Sequence, residues 1–164
     1  MNVADIQNQL RYKVGWRVMV AKNTFVLGSP WESDFLYVTA ALYWHEFEIK
    51  VSRSDFLADL RKRNPHAGNK HDFLAGSYER KICPYSRHDV PRPKSFYFVA
   101  PAYVTVSDVP AHAGLINWSY NESRGLISFC YSKLAPTLKA DKLTLPQLYS
   151  LAKKVSHKSF EVPA

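Results

Sequence analysis

Cysteine is scarce in this sequence. Cys83 and Cys130 are the only two in 164 residues, far apart and in no CxxC pair. They give neither a disulfide framework nor a thiolate zinc knuckle, and two free thiols in a reducing compartment follow. His66, His71, Cys83 and His88 match no familiar zinc spacing. Acidic residues are the minority charge: 14 Asp and Glu against 22 Lys and Arg, a net +8. That surplus favours an acidic partner, nucleic acid most simply. No apolar run approaches the roughly 20 residues of a transmembrane helix. The N-terminus lacks the positive-then-apolar pattern of a signal peptide. A cytoplasmic protein without membrane attachment is expected. No repeat or low-complexity block is present.

What is present is a globular composition. Hydrophobic residues make up 46%, with ten Tyr, nine Phe and four Trp. The length suits one domain over 1–164. Ile6, Leu10 and Val14 mark a first helix over 4–12. Residues 17–20 read as a brief extended segment, and 23–30 as turn material. Two strands are predicted at 34–39 and 43–51, antiparallel neighbours across a turn near 40–42. Ser52 or Ser54 caps a helix that runs to about Arg63, with Phe56, Leu57 and Leu60 on its buried stripe. Residues 64–94 are irregular and basic, with a helical piece around 70–79. Residues 95–100 are a near-continuous apolar run, as in a buried central strand. Residues 115–120 and 125–131 form a hairpin, and 145–155 a terminal helix. The hairpin and last helix extend the domain from about 113.

The chemistry concentrates at 47–51, Phe-Glu-Ile-Lys-Val. On a strand, alternation sends Phe47, Ile49 and Val51 to a core and Glu48 and Lys50 to the opposite face. Asp34 then falls at the same end of the neighbouring strand, where its carboxylate and that of Glu48 can converge on one ion. Glu79-Arg80-Lys81 has the same spacing without the alternating frame and is set aside. The plain alternative is a solvated sheet face with a cross-strand ion pair.

The order strand-Asp34, strand-Glu48-x-Lys50, helix, strand resembles the PD-(D/E)XK nuclease superfamily. The run Glu-Ile-Lys-Val-Ser-Arg-Ser-Asp-Phe-Leu-Ala-Asp from Glu48 is similar to the MmcB-like DNA-repair branch and its phage and bacterial relatives. So are 96–101, Val109-Pro110 and 113–116. The resemblance spans about residues 31–136. It implies an α/β, restriction-endonuclease-like αβββαβ core, a mixed central sheet flanked by helices. It implies a nuclease acting on DNA, in DNA repair or phage DNA metabolism, within a bacterial or phage-infected cell. Asp34, Glu48 and the Ile49 backbone carbonyl would hold Mg²⁺ or Mn²⁺. Lys50 would orient or deprotonate the attacking water and stabilise charge on the phosphate. The sequence departs from the pattern in lacking the proline of the motif. Glu32 is a further ligand candidate, and Asp5 is the only acid on the first helix. The candidate DNA contacts are Arg53, Arg61, Lys62, Arg63, Lys70, Arg80 and Arg87. The alternatives are a DNA-binding module of the same fold with little hydrolytic activity, or a phage-encoded accessory protein that modulates a host nuclease. Monomer and homodimer both remain open.

Overall fold

The computed structural model describes residues 2–14, 19–25, 29, 31–64, 68–76 and 92–159. The elements run α1 (Val3–Val14), β1 (Met19–Phe25), β2 (Glu32–Val38), β3 (Trp44–Ile49) and α2 (Arg53–Arg61). A two-stranded insert, β4 (Arg63–Asn64) with β5 (Gly68–Asn69), leads into α3 (Lys70–Ala75). Then come β6 (Ser95–Pro101), a 3₁₀ turn (Val106–Asp108), β7 (Gly114–Asn121), β8 (Leu126–Lys133) and α4 (Leu145–Ser159).

Six strands form one mixed sheet in the order β1-β2-β3-β6-β7-β8. β3, β6 and β7 are mutually parallel, and the outer pairings are antiparallel. The expected pairing of the 34–39 and 43–51 strands is found, with Phe35 opposite Phe47 and Val38 opposite Trp44. Their turn closes with the Leu42 amide donating to the Thr39 carbonyl, and Leu42 at φ 64°. β1 runs longer than the sequence suggests. It continues past Asn23, which takes a left-handed φ of 47°, because Thr24 and Phe25 still pair with Ser33 and Glu32 of β2.

Helices cover both faces of the sheet. On one, α1 sets Ile6, Leu10 and Val14 against Phe35, Phe47, Ile49, Val99 and Ile116. On the other, α2 and α3 bring Phe56 and Leu74 to Phe96, Phe98 and Leu115. Beside them, Leu151 of α4 and Leu143 pack on Leu36, Val38 and Trp44. One detail of the sequence reading is overturned, and the plain alternative it weighed is excluded. Val51 is not a core residue; it is 39% exposed, because β3 ends at Ile49 and the chain turns into α2. Glu48 and Lys50 do not lie on a solvated face; they are 8% and 5% exposed under α2 and α3. Among the described residues, no helix is long and apolar enough to cross a membrane.

Candidate active site

Asp34 and Glu48 come together where β2 leaves β3. The ladder between these strands stops at Phe35–Phe47. One step further, the Asp34 carboxylate replaces a backbone acceptor: Asp34 Oδ2 takes the Ile49 N–H at 2.8 Å. Gln7, buried on α1, donates to the Asp34 carbonyl at 2.7 Å and fixes the strand from behind. Beyond this split lies a cleft of about 560 Å³, lined by Asp34, Glu48, Ile49, Lys50, the α2 residues Asp59 and Arg61, and Lys62 just past the helix, among others.

α2 forms the opposite wall because Ser52 caps it. Ser52 Oγ accepts the Asp55 N–H at 3.1 Å, which decides between the two serines in favour of Ser52. The helix ends at Arg61, two residues early, with the Lys62 N–H bonded to the Asp59 carbonyl. Asp59, the seventh residue of the helix, reaches the sheet. Lys50 Nζ stands between Glu48 Oε1 at 2.9 Å and Asp59 Oδ1 at 3.2 Å. The Trp118 indole N–H donates to the Lys50 carbonyl and holds its backbone.

α3 brings a second cation. Asn69 caps it by accepting the His71 N–H, and donates from its amide to Leu60 at the end of α2. That tie drives Lys70 inward. Its ammonium lies 2.8 Å from both Glu46 Oε1 and Glu48 Oε2. Ser33 Oγ donates to Glu46 at 2.6 Å. His71 bonds Asp59 through Nε2 at 3.2 Å and meets His112 through Nδ1 at 3.3 Å.

The charges do not cancel. Asp34, Glu46, Glu48 and Asp59 are four carboxylates against the ammoniums of Lys50 and Lys70. The deficit falls on Asp34. Burial first, and then the negative charge of Glu48, push its carboxyl up to about 7. Burial also pulls Glu48 upward, but Lys70 and Lys50 outweigh it and hold Glu48 below the usual carboxylate range. Asp59 is held at about 2: burial raises it, and the His71 hydrogen bond and Lys50 lower it further than that. Burial works against the charge on Lys50, yet Glu48 and Asp59 raise its pKa above that of a free lysine. Lys50 therefore keeps its proton at neutral pH.

The predicted DNA contacts divide. Arg61 and Lys62 are exposed at the cleft. Arg53 is exposed, with its guanidinium 2.8 Å from Asp108. Lys70 is no surface contact: it is 9% exposed and bound to two carboxylates. The Arg63 side chain, Arg80 and Arg87 lie outside the described residues. Glu32 is exposed at the start of β2, and Asp5 caps α1 through a reciprocal pair with Asn2. Sequence reasoning missed Glu46, Asp59 and the inward role of Lys70 and His71. Glu46 was within reach, since it continues the alternation of Glu48 and Lys50. Lys70 and His71 carried no local signal; only the packing of α3 directs them inward.

Asp34 and Glu48 are hard oxygen donors of the kind that Mg²⁺ or Mn²⁺ takes, and among the described residues Asp34 is the one carboxylate of the four with no ammonium bonded to it. Glu48 is the constrained partner, each of its oxygens being already bonded to a lysine. Among the described residues no group of three or more His, Cys, Asp or Glu is arranged to hold a metal ion, so an ion here would rest on two carboxylates with backbone and solvent oxygens.

No family model matches this chain, and no curated protein matches it. A solved structure of a protein of unknown function from Silicibacter pomeroyi is similar to it in fold. That structure has a TM-score of 0.50 and 16% identity, over 94% of this chain and 80% of the other.

Proposed function

We propose that this chain is a metal-dependent nuclease of the PD-(D/E)XK type, hydrolysing DNA phosphodiester bonds with Mg²⁺ or Mn²⁺. The observation that carries the reading is the convergence of Asp34, Glu48 and Lys50 on one cleft at the split between β2 and β3. The element order adds support. With β4, β5 and α3 set aside, α1-β1-β2-β3-α2-β6 matches the αβββαβ order of a restriction-endonuclease-like core, with β3 and β6 parallel.

In this reading Asp34, Glu48 and the Ile49 carbonyl would hold the ion, which would supply Lewis acidity toward the phosphodiester and the attacking water. Lys50 enters as a fixed cation. Glu48 and Asp59 hold its ammonium charged, so it donates hydrogen bonds to water or phosphate and stabilises developing negative charge. Arg61 and Lys62 stand at the rim to meet the DNA backbone, through contacts that weaken with salt as counterions are released.

A second reading, a DNA-binding or accessory protein of the same fold with little hydrolytic activity, draws on one observation. Both Glu48 oxygens are already bonded to lysines, so the ion-pair network closes without a metal. The assay that separates the two uses linear, circular and single-stranded DNA with Mg²⁺, Mn²⁺ or EDTA. Cleavage with either ion, abolished by EDTA and suppressed in Lys50→Ala, supports the nuclease. DNA binding without cleavage under any of these conditions supports the second reading.

A further inference from the structure

Asp59 serves two donors at once. Its Oδ1 lies 3.2 Å from the Lys50 ammonium, and its Oδ2 lies 3.2 Å from His71 Nε2. The carboxyl is held at about 2, so near neutral pH it only accepts hydrogen bonds. His71 Nε2 must therefore carry a proton. The other ring nitrogen of His71, Nδ1, faces His112 Nε2 at 3.3 Å. Two ring nitrogens in that position are held together by one proton between them. Burial first, and then His71, pull His112 down to about 4, so His112 takes up no further proton near neutral pH. The result is an unbroken relay of hydrogen bonds, His112–His71–Asp59–Lys50. Its members come from the segment before β7, from α3, from α2 and from the end of β3. Both rings are fixed in place. His71 is buried against the Phe96 and Phe98 rings and stacks on His112. His112 rides on a turn closed by the Ala113 N–H on the Pro110 carbonyl, and Lys133 of β8 donates to the Val109 and Pro110 carbonyls. Asp59 and Lys50 line the cleft, and the histidines stand one and two hydrogen bonds behind Asp59.

We propose that His71 and His112 are positioning residues of the cleft: they orient Asp59, and Asp59 in turn holds the Lys50 ammonium in place. An ammonium has three N–H groups, and Glu48 and Asp59 take two of those on Lys50. Together they fix where the third points. Bonded to Lys50 alone, Asp59 would turn about its own side chain and carry the ammonium with it; the bond from His71 removes that freedom. This role rests on the reading above, in which Lys50 is the fixed cation, for its consequence in catalysis. Its test uses neither DNA nor metal, so the role can fail while that reading stands, or stand while that reading fails.

The test is hydrogen exchange at the two buried ammoniums, Lys50 and Lys70, in the metal-free full chain with ¹⁵N-labelled lysines, followed by ¹H–¹⁵N correlation spectra. Lys50→Arg and Lys70→Arg assign the two signals. Lys70 is the internal control: it is bonded to Glu46 and Glu48, outside the relay, yet it neighbours His71 on α3 and would feel any local loosening. His71→Ala should speed exchange at Lys50 about tenfold, the low end for losing a hydrogen bond to a charged group, and leave Lys70 within about twofold. His112→Phe, which keeps a ring and removes its nitrogens, should speed Lys50 about threefold or more. His71→Gln offers an amide N–H to Asp59 and an oxygen to His112, and should restore Lys50 to within about twofold of wild type. Where His71→Ala does not fold, His112→Phe and His71→Gln carry the comparison. Lys50 exchange that is unchanged or slower in folded His71→Ala or His112→Phe overturns the proposal. Equal acceleration at Lys50 and Lys70 overturns it too, since that is general loosening. So does a wild type whose Lys50 signal exchanges as fast as that of an exposed lysine.

Discussion

Replacing Asp34 with Asn should make the metal-free protein more stable, and the gain should depend on pH. The Asp34 carboxyl is raised from 3.8 to about 7 in the folded chain, chiefly by burial and secondly by Glu48. Between those two values the folded state holds a proton that the unfolded chain has released. Stability therefore falls as pH rises through that window, and levels off above the folded value. About three pKa units at 1.36 kcal/mol each set an upper figure of about 4 kcal/mol; relaxation around the charge brings the expectation to roughly 2–4 kcal/mol. Asn keeps an oxygen to accept the Ile49 N–H, so the split between β2 and β3 survives the change. The assay is urea unfolding of wild type and Asp34→Asn in EDTA, at pH 4.5 and pH 8. The variant should be close to wild type at the lower pH and clearly more stable at the higher one. Saturating Mn²⁺ should narrow the gap at pH 8 by stabilising wild type alone. A variant less stable than wild type at pH 8, or a gap that does not change with pH, would refute the electrostatic account of this site.

Glu48→Gln should act in the opposite direction, destabilising the metal-free protein by roughly 3–5 kcal/mol in urea unfolding, because Lys50 and Lys70 both lose a buried anionic partner. Asp59→Asn should leave Mn²⁺ affinity within about twofold by calorimetry, since Asp59 holds Lys50 and not the ion; DNA turnover should drop roughly tenfold as Lys50 loses one of its two anchors. Arg61→Glu/Lys62→Glu should weaken DNA binding and reduce the magnitude of the salt slope by about 2 in fluorescence titrations, without lowering the melting temperature, as both side chains are exposed at the cleft. Gly114→Ala should cost about 1–3 kcal/mol in the same unfolding assay, because a Cβ there overlaps the Tyr97 ring and the Ala135 backbone.

The sequence makes the frame of the site legible where local rules agree with the fold. Alternation identifies β3, the Ser52 cap fixes the start of α2, and the apolar run at 95–100 becomes β6, the strand beside β3. The spacing of Asp34 and Glu48 around a turn at 39–43 sets their common end of the sheet. What alternation cannot give is the covering of the second face. A strand of alternating apolar and charged residues reads as half-solvated, yet Glu46, Glu48 and Lys50 are all buried. They are buried because α2 and α3 return to the sheet carrying Asp59 and Lys70, charges that make this burial tolerable. That compensation is tertiary. Lys70 stands in a basic, irregular stretch and looks locally like any surface lysine; only the Asn69–Leu60 bond, which ties α3 to α2, turns it inward. The same tertiary effect moves Val51 out of the core, since the chain leaves the sheet one residue before Lys50.

The proposed sharing of one divalent cation by Asp34 and Glu48, beside Lys50, is open to a direct test. Crystals soaked in Mn²⁺ and measured near the manganese absorption edge address it directly. The account predicts one anomalous peak per chain in the cleft, within about 2.0–2.6 Å of an oxygen from Asp34, one from Glu48 and the Ile49 carbonyl, with Lys50 still bonded to Asp59. A cleft without a peak at saturating Mn²⁺, or a peak bound to Asp34 with Glu48 still fully occupied by Lys50 and Lys70, would contradict it.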